Sequence, residues 1–208
     1  MSQFLAPIHT WLFNKIVTLE SIEKAIEAAY PQEDITSYHQ SLKAKIGDYL
    51  PEAPLETMID QSNIHGWLQD RITKAETRQA GLVAKVLEIE GANENIQSIY
   101  KKAGVEAASQ LGVKVDDPAT IFKGVNDVLL EGMPCDRVNS MVEQTDDTVI
   151  WKTVQCVHKN NWESNGVDVV NYYGYRAALI DGYVNTLSDQ FNYTYTNDGE
   201  QVHTITRR

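Results

Sequence analysis

Cysteine is scarce in this chain: Cys135 and Cys156 are the only two in 208 residues. Two thiols cannot build the disulfide framework that staples small secreted domains, and in a reducing compartment both are expected to be free. Long apolar runs are missing too. None approaches the ~18 residues that cross a bilayer, and the opening MSQFLAPIHTWLFNKI lacks a basic leader followed by an apolar stretch ending in small residues, so it does not read as a signal peptide. The expected location is cytoplasmic, with no membrane partner. Positive charge is also short, since 18 Lys and Arg stand against 29 Asp and Glu, a formal net charge of −11. Such a chain repels phosphate backbones, and no basic cluster overturns the balance, which argues against a nucleic-acid partner. A nucleotide-binding glycine loop, a zinc signature and a nucleophile elbow are absent as well.

What remains is an acidic globular protein. A hydrophobic share of 42% with 23% charged residues is ordinary for a folded chain, and the length suffices for one large core or two small ones. Apolar residues from Ile8 through Trp11, Leu12, Ile16, Leu19, Ile22 and Ile26 recur at steps of three and four. This predicts an amphipathic helix from Pro7 to about Ala29. A second helix is predicted after an Asp34 cap, a third region from Leu55 to about Glu90 with a break near Ser62-Asn63 or Gly81, and a fourth from about Asn95 to Leu111, with Gly112 as its stop. Asp117-Pro118 opens a fifth that Gly132 closes.

Beyond Gly132 the apolar period changes to two. RVNSMVEQT and TVIWKTVQCVH flank Asp146-Asp147, and FNYTYT and EQVHTITR flank Asn197-Asp198-Gly199, so two β-hairpins are expected with a helix over about Asp168–Ser188 between them. The fold class is therefore α+β: a helical N-terminal region, residues 1–115, then an α+β region, residues 116–208, made of an antiparallel sheet and its helix. The boundary is placed at 115 or 132, and the two regions are compatible with one shared core.

Three groups of residues offer chemistry. Ile-His-x-Trp-Leu-x-x-x-Ile occurs twice, at Ile8–Ile16 and Ile64–Ile72. Each copy puts its isoleucines and leucine on one helix face, with the histidine on the flank. Packing is the first reading of this repeat. Were the two helices to meet, His9 and His65 could ligate a metal or a haem, while Trp11 and Trp67 would wall a ligand pocket. Secondly, QCVH in a strand would point Cys156 and His158 to one face, as a thiolate–imidazolium pair or two zinc ligands, with His203 completing the group if the hairpins align. A buried structural cysteine is the plain alternative. Thirdly, Tyr172 and Tyr173, with Tyr175, Tyr183, Tyr193 and Tyr195, either line a pocket or pack a helix on the sheet.

From Glu143 to Arg207, about a third of the chain, the sequence resembles 4-vinyl-reductase-type domains and the related 2-amino-thiazoline-4-carboxylic acid hydrolases. The resemblance lies in a strand ending in Cys (WKTVQC), a polar helix entry reaching Gly (HKNNWESNG), a long helix, a strand (FNYTYT), a Gly-Glu turn and a last strand ending in basic residues. Those families commonly carry further cysteines after the glycine and in the last strand; here Tyr172 or Tyr173 and His203 stand near those places. The resemblance implies a small-molecule protein. It is either a hydrolase of a C–N bond in an amino-acid-derived heterocycle, with Cys156 as nucleophile or metal ligand and His158 or His203 moving protons, or a non-catalytic ligand sensor. A homo-oligomer is compatible with either.

Overall fold

A computed structural model of the protein describes residues 5–208; the first four residues of the opening stretch lie outside the described residues. The architecture is α+β. Its helices are α1 (Pro7–Ala29), α2 (Glu33–Ile46), α3 (Ile64–Val86), α4 (Ala92–Ser109), α5 (Pro118–Val128), α6 (Lys159–Glu163) and α7 (Val169–Leu187). The strands β1 (Asn139–Gln144), β2 (Thr148–Thr153), β3 (Phe191–Asn197) and β4 (Gln201–Arg207) form one antiparallel sheet of order β1-β2-β4-β3. No described helix is long and apolar enough to cross a membrane.

The chain divides into two compact units, one comprising residues up to Glu90 with His158–Asp168, the other Gly91–Val157 with Val169–Arg208. The expected boundary at 115 falls inside the second unit, because α4 packs on α7. The short α6, not anticipated from sequence, returns the chain to α3.

In the first unit α1 begins and ends where the periodicity placed it, burying Leu12, Ile16, Leu19, Ile22 and Ile26. Helix α2 starts without the expected Asp34 cap; Gln32 takes the cap position and its side chain makes no capping bond. The third region does break at Asn63, whose Oδ1 accepts the Gly66 N–H at 3.1 Å and so caps α3. No break occurs at Gly81, which is buried in the helix beside Leu42. His9 lies against His65, and Leu19 and Glu23 lie against Gln79 and Arg78, so α1 and α3 run in the same direction.

In the second unit the Asp117 carboxylate accepts from the Ala119 and Thr120 amides, as an N-cap should, and α5 follows. It ends at Val128, before Gly132. Helices α4 and α7 are joined through two glycines. A Cβ on Gly104 would overlap the Leu179 carbonyl oxygen, and one on Gly182 would overlap that of Lys101. Only glycine permits so close a backbone approach. The inner face of the sheet carries Val149, Trp151, Phe191, Tyr193, His203 and Ile205, and α5 and α7 cover it.

Candidate functional site

Strand alternation and register gather the site in the second unit. Trp151 and Tyr195 both pair with His203, so three rings form one row across the inner face. Trp151 stacks on His203 with centroids 4.8 Å apart and planes 5° from parallel, and Tyr195 lies 4.8 Å away on the other side. His203 Nδ1 is 2.7 Å from the Tyr193 hydroxyl, and Nε2 is 3.4 Å from Thr153 Oγ1. Both ring nitrogens are engaged. Burial, aided by the Arg176 guanidinium, pushes the imidazole pKa down to about 4, so His203 is neutral at pH 7.

On α7, Arg176 is 2% exposed. It donates to the Leu130 carbonyl and the Glu131 carboxylate, and lies 5.4 Å from the ring centres of Tyr172 and of Tyr173. Burial raises the Tyr173 phenol pKa; the Arg176 guanidinium opposes the shift, and the nearby Cys156 adds to it. Cys156, Tyr173, Arg176 and His203 therefore share one electrostatic neighbourhood.

Beside it, at the end of the sheet, a cavity of about 430 Å³ is lined by Cys156 with Thr153, Gln155, Asn197, Gln201 and the Lys152–Glu200 ion pair of 2.6 Å. Thr153 links the cavity to His203. Two buried polar atoms of the same inner face, Tyr195 Oη and Gln201 Oε1, have no hydrogen-bond partner among the described residues.

Cys156 and His158 do not share a strand. β2 stops at Thr153, because β1 begins at Asn139 and β4 at Gln201, both opposite Thr153; one further bond, from the Val154 N–H to the Val138 carbonyl at 2.8 Å, follows before the chain leaves the sheet. Cys156 is exposed in the connection that follows. His158 belongs to the first unit, wholly buried, with Nδ1 2.8 Å from a Glu76 oxygen whose partner oxygen accepts from Asn161. Among the described residues no three His, Cys, Asp or Glu side chains converge on a metal position, so the zinc set of Cys156, His158 and His203 is not assembled. Cys135 lies exposed in the turn Pro134–Asp136.

The repeat does bring its histidines together, with the His9 and His65 rings 5.5 Å apart. This is short for haem, whose two axial imidazoles on opposite sides of the iron have centres roughly 6.5 Å apart. Trp11 and Trp67 are half-buried and each is covered by the cation four residues later, Lys15 at 3.4 Å and Arg71 at 5.2 Å. These indoles serve as supports for charge and do not open onto the cavity.

The first unit also holds a buried ionic cluster that the sequence barely signals. Arg78, 0% exposed, donates through Nε to Glu23 at 2.8 Å and through a terminal nitrogen to Glu20 at 2.8 Å. His39 stands between Glu23 at 2.7 Å and Glu27 at 3.1 Å, and Tyr49 and Lys43 also donate to Glu27. The one available signal was Glu20, Glu23 and Glu27 at helical spacing beside the apolar stripe of α1.

Comparison with protein-family models, with curated proteins and with solved structures finds no match to this chain.

The depressed His203 pKa carries a stability consequence. Its folded value of about 4 lies below the ordinary 6.5, so the unfolded chain binds a proton first as pH falls. Stability is then lost progressively between about pH 6.5 and pH 4, by up to roughly 3 kcal/mol. In denaturant titrations across this range, His203→Gln is expected to flatten that part of the wild-type decline. An unchanged slope would remove His203 as its source.

Proposed function

We propose that the second unit is a small-molecule-binding module whose ligand occupies the cavity of Cys156, Thr153 and Gln201. The observation that carries this reading is the orphaned Gln201 Oε1 on a residue of the cavity wall, with a second orphan, Tyr195 Oη, on the same sheet face. A buried polar group without a partner costs roughly 1–3 kcal/mol, and native chains rarely tolerate two on one face without a use for them. Gln201 Oε1 calls for a donor, and the Tyr195 hydroxyl can donate or accept. A small molecule with an N–H, such as an amide or an amino-heterocycle, meets the demand of Gln201 at the cavity wall. The volume of about 430 Å³ is in the range of ligand sites.

Binding without turnover is the better supported form. A cysteine hydrolase needs a base in contact with its thiol, whereas His203, with its pKa pushed down to about 4, is a weak base and has both nitrogens occupied by Tyr193 and Thr153. His158, held by Glu76, serves the first unit.

An amide-resolved NMR titration of the full chain tests this, using acetamide, 2-aminothiazoline and 2-amino-thiazoline-4-carboxylic acid as probes. Saturable shifts at Thr153, Cys156 and Gln201, with each probe recovered unaltered, are expected. Shifts absent for all three probes, or centred elsewhere, would overturn the site. Turnover abolished by Cys156→Ala would replace binding with hydrolysis.

A further inference from the structure

The Ile-His-x-Trp-Leu repeat takes no part in that cavity, yet its two histidines stand ring against ring. The chain has five histidines, and three are fixed by protein partners: His39 by Glu23, His158 by Glu76, and His203 by Tyr193 and Thr153. His9 and His65 differ. Among the described residues neither imidazole hydrogen-bonds a protein group, and His9 Nδ1 is buried without a partner.

We propose that His9 and His65 together bind a divalent transition-metal ion, copper or zinc. A metal ~2 Å from one nitrogen of each ring lies roughly 3 Å from each ring centre, and ligand angles between tetrahedral and trigonal then separate the centres by ~5–5.5 Å. The observed separation is 5.5 Å, with the planes inclined at 58° rather than stacked. Imidazole nitrogen suits both metals, and copper binds a given nitrogen site more tightly than zinc.

The repeat itself sets this spacing. His9 and His65 hold equivalent positions near the starts of α1 and α3, which run in parallel. Burial of Leu12 and Ile16 in one helix and Leu68 and Ile72 in the other fixes both. Farther along the pair, Arg78 on α3 is tied to Glu20 and Glu23 on α1. Such bracing holds two ligands in place before the ion arrives. The nearby cations are turned aside: Lys15 lies on the Trp11 ring, and Arg71 lies over Trp67 and 3.4 Å from Asp70. With no third protein ligand among the described residues, water completes the coordination and the site stays open to exchange.

Calorimetric titration of Cu²⁺ and Zn²⁺ into tag-free full-length protein tests this. The Cys135→Ser/Cys156→Ser background removes the exposed thiols as competing ligands. One ion per chain is expected, with copper tighter. His9→Asn and His65→Asn should each weaken binding at least tenfold, since disturbing groups behind a ligand alone costs ~10–100-fold. The double variant should lose little more than either single one. Stoichiometric binding absent for both ions, or unaffected by either substitution, would overturn the proposal. Should a variant fail to fold, electron paramagnetic resonance of the copper-loaded background protein decides: two imidazole nitrogens on the copper support the site, and one or none refutes it.

Discussion

Valine at position 104 is expected to unfold the second unit. The Gly104 Cα faces the Leu179 carbonyl oxygen and the Tyr183 backbone of α7, so any Cβ there meets main chain instead of a movable side chain. Overpacking of a core side chain costs about 1–3 kcal/mol. Here the whole of α7 would have to back away, taking with it the reciprocal contact of Gly182 with Lys101. A loss of at least about 3 kcal/mol follows, a large part of a typical domain's stability. Hydrogen exchange at the paired amides of β2 and β4 should accelerate in Gly104→Val, while amides of α1 and α3 keep their protection. Unchanged exchange in the sheet would show that the helices are not so closely joined.

The second large effect belongs to Arg78. Replacing it by methionine leaves the Glu20 and Glu23 carboxylates, 5% and 0% exposed, without their main cation. It also removes the donor that serves the Gly47 and Asp48 carbonyls. Breaking a buried pair from one side costs about 3–5 kcal/mol, because a charge is left desolvated and uncompensated. Arg78→Met should therefore lower the denaturation midpoint of the first unit strongly, and adding Glu20→Gln and Glu23→Gln should restore part of the loss. Recovery is the informative result, since it separates an unpaired charge from lost packing. A triple variant no more stable than Arg78→Met would assign the loss to packing.

Much of this fold was legible because local rules and tertiary packing agree. The stripe from Ile8 to Ile26, with prolines at both ends, defined α1 at both termini. Asp117-Pro118 and the Asp-Gly turn at 198–199 marked a helix start and a hairpin. The failures lie where distant partners decide. QCVH has the composition of a strand, yet its neighbours on both sides end opposite Thr153. Glu20, Glu23 and Lys15 read as the polar side of α1 but are buried, and Arg78, which neutralises the two glutamates, is more than fifty residues away.

The site was half visible. Tyr172 and Tyr173 flank Arg176, whose charge also reaches His203 and whose position in α7 gave no hint of its burial, while Cys156 lies exposed at the cavity. His158 does not join them, because α6 carries it into the first unit. Tyr195 and Gln201 carry no joint signal in the sequence, since only the observed register sets them on one face with nothing to bond.

Substitution of those two residues tests the proposed binding site. Tyr195→Phe and Gln201→Leu remove the orphaned atoms while keeping most of the side-chain volume. The stability of the free protein should hold or rise, by about 1 kcal/mol for each buried group relieved of its desolvation. Affinity for 2-aminothiazoline, read from the same NMR titration, should fall at least tenfold in the double variant, as expected of a trade between stability and function. Unchanged affinity in a fully folded double variant would rule out this site.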